Sequence, residues 1–489
     1  MGRRAIIFAN IGSRDVKYSP GGSESSVEDK ATLASSRRLG RFLSDNYEEL
    51  KGCIELPIIE KGIGHIGSLG YKYPEVLQRA KNAPTVGLFC TDQQNERYRE
   101  GDTIEFAEIV RKKLPEVFPN RKNHKGIRLN DKGSVTIRAI EEHDPSRYDD
   151  MYSFYRGFFE EGDGWIPDEW LCFVLTSGGT PAMNAALILQ AIQHFGESCV
   201  QVHVPREDEA SELRIGEEMV RAATERRFGE ALESLQFRAA AKILESTSRE
   251  DHRAHACHYA KHRLAFDFRG ALAHCQAAIR AAHGDTKRLL ERHERSTRRL
   301  AQGRLDWSNR LLFIEELFYN LEVKVYLDEY VDALGRVWRL QEALLGWIVR
   351  SETGIETDDD RALEEQEAST VPGLWAYMRE KSPERAPKIN RYSLTLISGY
   401  LTKPEAGLSE ERRTEIAKVR NVANKLNKLS DLRNKTIIAH GFEGVSEEDI
   451  EARYGQASLV EDVRSMVTAA LEIDLSSNPF FGLARLLRF

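Results

Sequence analysis

The sequence predicts a parallel α/β domain followed by an all-helical half, and three observations carry that prediction. Over the first 205 residues, short β-rich runs alternate with helical stretches. Three of those runs end in polar or glycine-rich turns, and from about Pro205 the pattern becomes almost continuously helical, rich in Ala, Glu, Arg and Leu. The expected strands are residues 5–11, 54–59, 86–90, 171–176 and 200–204. Strands alternating with helices build a largely parallel sheet covered on both faces. No convincing strand is read after residue 205.

Ligands of open α/β sheets sit beyond the carboxyl ends of the strands, so the three turns mark the expected pocket. The first runs from Asn10 through Gly12, Ser13 and Arg14 to Asp15, and the second covers Thr91, Asp92 and Gln93. The third is Thr176, Ser177, Gly178, Gly179, Thr180 and Pro181. Pro181 suits the first turn of a helix over residues 182–194, while Gly178 and Gly179 let backbone N–H groups approach an anion, so a phosphate-bearing ligand fits. The same Ser-Gly-Gly-Thr is equally a tight strand-to-helix connection without a ligand. Neither a Walker sequence nor a complete G-x-G-x-x-G is present, which removes support for nucleoside triphosphate hydrolysis and dinucleotide redox chemistry.

In the helical half, residues 206–300 contain His252, His255, His258 and His262 at steps of three and four. Such a face could meet Zn²⁺, but the spacing fits no established zinc pattern and reads as a connecting helix. Residues 301–489 open with a periodic helix through Phe313, Leu317, Leu321, Val325 and Leu334 toward Leu344. Within it Arg336, Arg339 and Glu342 stand three apart, the spacing of a solvated salt-bridge face. The charged residues 356–367 read as an exposed segment and residues 383–387 as a connection.

With 489 residues, 41% hydrophobic and 30% charged, the chain has room for two or three domains with real cores. Its formal charge of −7 argues against a protein that mainly coats duplex DNA, since displacing counterions takes a basic domain. No apolar run approaches the ~20 residues that span a bilayer, and the apolar stretch after Arg4 is too short for a signal peptide. A cytoplasmic protein with no membrane partner is expected. The six cysteines form no C-x-x-C pair and read as reduced thiols, mostly in the core.

Near the end stands Asp431-Leu432-Arg433-Asn434-Lys435-Thr436-Ile437-Ile438-Ala439-His440-Gly441. On one helix, at about 100° per residue, the steps from Arg433 to His440 complete almost two turns and place both on one face roughly 10 Å apart. Gly441 then reads as the helix C-cap, with His440 in the last turn, where the dipole favours its protonated form. A permanent cation beside a titratable imidazole suits cleavage of RNA by its own 2′-hydroxyl. Charge builds on the non-bridging phosphate oxygens while a proton moves between sugar oxygens. That chemistry requires no metal, and neither a metal site nor a cofactor is expected.

Taken together, these residues resemble the CARF-HEPN ribonucleases of type III CRISPR systems, in particular the type III-A accessory nuclease family. Leu432-Arg433-Asn434-Lys435 through Ala439-His440-Gly441 is similar to the HEPN signature, an Arg, often followed by Asn, with a His a few residues later. The block from Arg336 to Ala343 resembles a companion helix of that domain. The Gly12-Ser13 turn and the 177–183 turn, which includes Met183, resemble the two nucleotide-contacting loops of CARF domains.

The resemblance implies a Rossmann-like α/β CARF sensor domain over residues 1–205, an all-α helical linker domain over 206–300 and an all-α HEPN ribonuclease domain over 301–489. It implies a homodimer that forms both sites, a cyclic tetra- or hexa-adenylate activator and single-stranded RNA as substrate, with no stable complex with the CRISPR effector. Ser13, Arg14, Ser177, Gly178, Gly179 and Thr180 would hold phosphates or ribose, and Gly12 and Met183 complete the loops. Asn10 and Gln93 would read adenine or ribose edges, although at residues 91–93 a purely structural turn is equally compatible. Arg433 would grip the scissile phosphate, Asn434 would orient His440 or the RNA, and His440 would serve as general base or acid. The products would carry a 2′,3′-cyclic phosphate and a 5′-hydroxyl. Some relatives also cleave their activator in the CARF pocket, a step that would fall here to Ser13 or Thr180.

Two other readings use the same residues. A ligand-sensing transcription regulator would need a helix-turn-helix and a basic C-terminal face. A catalytically silent HEPN scaffold or toxin-like binding protein would use the Arg433 region for packing alone.

Overall fold

The computed structural model describes residues 4–19, 35–77, 84–118, 135–161, 169–176, 178–205, 207–246, 251–302, 307–356, 371–382, 389–455 and 458–488. It comprises two compact units, Met1–Thr224 and Glu225–Phe489. Ser177, the connection expected at residues 383–387 and all of the charged stretch at 356–367 except Glu356 lie outside the described residues.

The first unit is organised by strands β1 (Arg4–Asn10), β4 (Thr85–Thr91), β5 (Val135–Ile140), β6 (Trp170–Leu175), β7 (Cys199–His203) and β8 (Ser211–Leu213). Among the described residues they form a six-stranded sheet in the order β5-β4-β1-β6-β7-β8. All neighbours are parallel except β7 and β8. The chain moves outward from β1 through β4 to β5, then crosses back to β6 and β7, so the strand order reverses between β1 and β6. Along β1, Ile7 and Ala9 enter one core while Ile6 and Phe8 enter the other. Burial on both faces explains why this strand reads as a continuous apolar run.

Four of the expected strands are present, and residues 54–59 depart from expectation. Only Ile54–Glu55 (β3) is extended, pairing antiparallel with Lys17–Tyr18 (β2). Pro57 then opens the helix Pro57–Ser68, which buries Ile59, Ile63 and Ile66. Proline's fixed φ and missing N–H suit that first turn, and the isoleucine spacing is helical. Besides β2, two strands of the main sheet were not anticipated. In β5, Val135, Ile137 and Ala139 face a core while Thr136 and Arg138 intervene, the alternation of a half-covered edge strand. β8 lies beyond Pro205, so continuous helix begins only at Ile215.

The second unit is helical throughout its described residues and is built around one hydrophobic core. The helix expected from Phe313 to Leu344 is two helices, Trp307–Tyr326 and Tyr330–Thr353. The break falls at Asp328, whose φ of +56° is a left-handed conformation that Asp tolerates better than most residues. The two helices pack together through Phe318, Leu321, Leu334, Val337 and Leu344. No helix among the described residues is long and apolar enough to cross a membrane.

Candidate functional site

Because β1, β4 and β6 are adjacent and parallel, the turns that follow them leave one edge of the sheet, with the first and third flanking the reversal in strand order. The β1 and β6 turns touch backbone to backbone. A Cβ on Gly178 would stand 2.1 Å from the Asn10 carbonyl oxygen, and one on Gly12 would stand 2.8 Å from the Gly179 nitrogen. Gly179 itself has φ +72°. Glycine here permits close approach, and a side chain at either contact would drive the loops apart.

Several expected ligand contacts are engaged within the protein instead. The Asn10 side chain is buried, accepting from the Tyr155 hydroxyl at 2.5 Å and donating to Asn184 Oδ1 at 3.0 Å. Asn184 in turn donates to the Gly178 carbonyl at 2.7 Å. Asn10 therefore braces the two turns, where a free base-reading amide was expected. Gln93 is also buried and ties its turn to the end of β5, with Nε2 donating to the carbonyls of Ile140 at 2.8 Å and His143 at 3.2 Å. Thr180 caps the helix Pro181–Phe195: it accepts from the Met183 N–H at 3.1 Å, and its hydroxyl donates to the Pro145 carbonyl. Met183 is a core residue whose sulfur receives the Thr180 N–H. Ser13, Arg14 and Gly179 remain exposed on the turn surface.

Three residues here had no role assigned from the sequence. Asp15 is 1% exposed, accepts the Gly12 N–H at 2.7 Å, and has a second carboxylate oxygen without a hydrogen-bond partner among the described residues. Burial pushes its carboxyl up to about 7, against the opposing Gly12 hydrogen bond. Asn184 was missed because its partners are distant in sequence. His203, at the end of β7, brings an imidazole nitrogen to 3.5 Å from the Thr176 hydroxyl.

In the second unit, Arg433 and Asn434 lie on a short helix, Ser430–Lys435, and His440 does not share it. Thr436 turns extended, with φ −92° and ψ 166°, and directs both its N–H and its hydroxyl to the Arg433 carbonyl, at 3.0 and 2.8 Å. The expected common helical face of Arg433 and His440 is therefore absent, as are the Gly441 helix cap and the helix-dipole argument for His440. Thr436, Ile437 and Ile438 are consecutive β-branched residues, and the Thr hydroxyl competes for a helical carbonyl; both effects favour ending the helix.

A tight turn brings the chain back instead. The Ala439 and Gly441 N–H groups both reach the Thr436 carbonyl, at 3.0 and 3.1 Å. A Cβ on Gly441 would lie 1.9 Å from the Lys435 carbonyl oxygen, so glycine is needed there for proximity. Ile438 docks on Gly335 of the helix Tyr330–Thr353: a Cβ at Gly335 would stand 3.1 Å from Ile438 Cδ1. Three residues along the same helix is Trp338, and the Arg433 guanidinium carbon stacks 3.6 Å from its ring centroid. One helix thus seats both halves of the motif, leaving His440 exposed.

Arg391, first residue of the helix Arg391–Leu401, stacks on the same Trp338 ring at 3.9 Å and donates to Asn427 at 2.9 Å. Arg433 donates to Asn434 Oδ1 at 2.5 Å. Burial pushes both guanidiniums below their ordinary range, Arg433's charge pushes Arg391 further, and Glu342 opposes the shift in both. Attraction to the ring and to Glu342 offsets the repulsion of two neighbouring cations. Beside them opens a cavity of about 800 Å³ whose lining includes Arg310, Arg336, Arg339, Glu342 and Arg391. The spaced Arg336, Arg339 and Glu342 thus border a basic cleft, with Arg339 paired to Glu342 at 2.9 Å. Arg391 carries no sequence signal of its own, because only folding brings it to Trp338.

A sheet edge with glycine-locked turns in one unit and an Arg-Asn/His turn seated on a helix in the other is the organisation of a CARF-HEPN protein. Within the helical unit, residues 301–462 match the family model described as the Csm6 HEPN domain. Over its length the chain shares the fold of Enterococcus italicus Csm6, solved bound to cyclic hexa-2′-fluoro-hexa-dAMP. The two are 14% identical, with a TM-score of 0.56 and 99% of each chain covered. No curated protein matches the sequence.

Proposed function

We propose that this chain is a cyclic-oligoadenylate-activated endoribonuclease that cuts single-stranded RNA without a metal ion. The observation that carries the reading is the seating of Arg433, Asn434 and the His440 turn on the Trp338 helix, inside the segment that matches the Csm6 HEPN family. Trp338 supports one face of the Arg433 guanidinium, and its N–H edges suit a scissile phosphate. Arg391 supplies a second cation to the charge that develops on the phosphate oxygens. His440 moves the proton between the 2′-hydroxyl and the leaving 5′-oxygen, as base or acid, and Asn434 orients Arg433. The products carry a 2′,3′-cyclic phosphate and a 5′-hydroxyl. Two copies of the chain complete the site, each presenting one exposed His440 turn.

At the sheet edge, Ser13, Arg14 and the Gly179 backbone meet the phosphates of the activator, while Asn10, Gln93 and Thr180 hold the shape of that surface. A symmetric ring of adenylates fits paired copies of these turns. Slow self-limiting cleavage of the activator would fall to the exposed Ser13, with His203 as the imidazole beside the third turn.

A fluorogenic RNA assay in EDTA, with and without cyclic tetra- and hexa-adenylate, tests the proposal. Cutting should appear only with one of the rings. Cutting that depends on added divalent metal would sink the mechanism, cutting without activator would make the chain a constitutive toxin-like nuclease, and complete inactivity would leave a silent HEPN scaffold.

A further inference from the structure

We propose that His258, His262 and His274 form a binding site for a divalent transition-metal ion of the Zn²⁺ type, clamping two helices of the second unit. His258 and His262 lie one turn apart on the helix His252–Leu264, and His274 faces them from the next helix, Phe268–Ala281. One ring nitrogen from each of the three lies within 4.8 Å of the others. The His274 ring stacks on His262 at 5.2 Å and lies tilted against His258 at 4.8 Å. His255 adds a fourth imidazole, its Nδ1 3.2 Å from His274 Nδ1.

The surroundings distinguish this cluster from an ordinary surface stack. In each of two rings a carboxylate holds one nitrogen, so the other would be the one to bind a metal. Glu245 meets His258 Nε2 at 2.5 Å, and Asp267 meets His262 Nδ1 at 2.7 Å. Carboxylates in that position fix the tautomer and orientation of metal-binding histidines and raise their basicity. The remaining nitrogen of His258, Nδ1, is buried and has no hydrogen-bond partner among the described residues. Burial, and then the neighbouring imidazoles, push His274 below its ordinary range.

With metal–nitrogen bonds of ~2.1 Å, tetrahedral donors lie roughly 3.4 Å apart. Modest rotation of partly exposed side chains closes the present spacing, and His255 or water can complete the shell. An all-imidazole donor set selects Zn²⁺, Ni²⁺ or Cu²⁺ over Mg²⁺ or Ca²⁺, which prefer oxygen. Spacing within residues 252–262 offers the imidazole pair but fits no established zinc pattern, because the ligand that joins the pair comes from the neighbouring helix. The ion would act on stability and take no part in RNA cleavage.

The test is calorimetric titration and thermal melting of the tag-free full chain with ZnCl₂ and, in parallel, MgCl₂. One Zn²⁺ per chain should bind and raise the melting temperature, and Mg²⁺ should do neither. The double variant His258→Ala/His274→Ala should lose binding. Glu245→Gln, which leaves all three ligands and the packing in place, should weaken it by about tenfold. Absence of saturable Zn²⁺ binding, or equal binding by the parent and a circular-dichroism-verified folded double variant, would overturn the proposal.

Discussion

Trp338 sets the position of the Arg433 cation by offering its ring face at 3.6 Å. A partly exposed cation–π contact is worth about 1 kcal/mol, so under the proposed mechanism Trp338→Ala should lower kcat/KM for RNA by roughly fivefold, and Trp338→Phe by less. Steady-state cleavage of both variants measures this, and equal loss in the two would argue against stacking as the cause. Asp15 makes a prediction about pH. Its carboxyl is raised from 3.8 to about 7 in the folded chain, so the native state holds a proton that the unfolded chain gives up. Stability is therefore lost as pH rises from about 4 through 7. Asp15→Asn removes that penalty: it should melt with the parent at pH 4 and above it at pH 8, by at most about 4 kcal/mol. A difference independent of pH would refute the assignment. Arg433, Asn434 and His440 were legible as chemistry because charge and imidazole are properties of single residues. The bracing roles of Asn10, Gln93 and Thr180 were not, since Asn184, Ile140 and Pro145 reach them only through the fold.

At the scale of elements, the turns after β1 and β6 are held together by glycine. Gly178→Ala would place a methyl 2.1 Å from the Asn10 carbonyl oxygen, which must push the loops apart. Melting should fall by about 1–3 kcal/mol, and the proposed activator response should weaken with it. Gly64 provides the control: in a helix with open space around it, Gly64→Ala should be neutral or stabilising by up to about 1 kcal/mol. Comparable destabilisation of both variants would dismiss the close-approach argument. The third turn was legible because Gly-Gly-Thr-Pro is local turn and cap chemistry, and its helix follows as expected. The helix through Arg433 was overextended because its geometry was carried on to His440, while Thr436 and two isoleucines ended it. Residues 54–59 were misread in the opposite sense: a β-branched run concealed a proline-initiated helix.

For the whole molecule, the proposed switch places sensing and cutting in different units, so single substitutions should separate them. Arg433→Ala should abolish RNA cutting yet preserve the thermal shift produced by the activator. Arg14→Ala should raise the activator concentration needed by about tenfold, the scale of one phosphate contact, while leaving the rate at saturation unchanged. Loss of both properties in either variant would contradict the division. By itself the sequence determined the α/β-then-helical order, the turn-bearing strand ends and the Arg-Asn/His pair, because hydropathic period, glycine, proline and charge act within a few residues. Only the tertiary structure decided that the turn carrying His440 is seated on Gly335, that Arg391 shares Trp338 with Arg433, and that His274 joins His258 and His262. Each of those contacts joins elements separated along the chain, and packing alone selects which of many chemically suitable side chains meet.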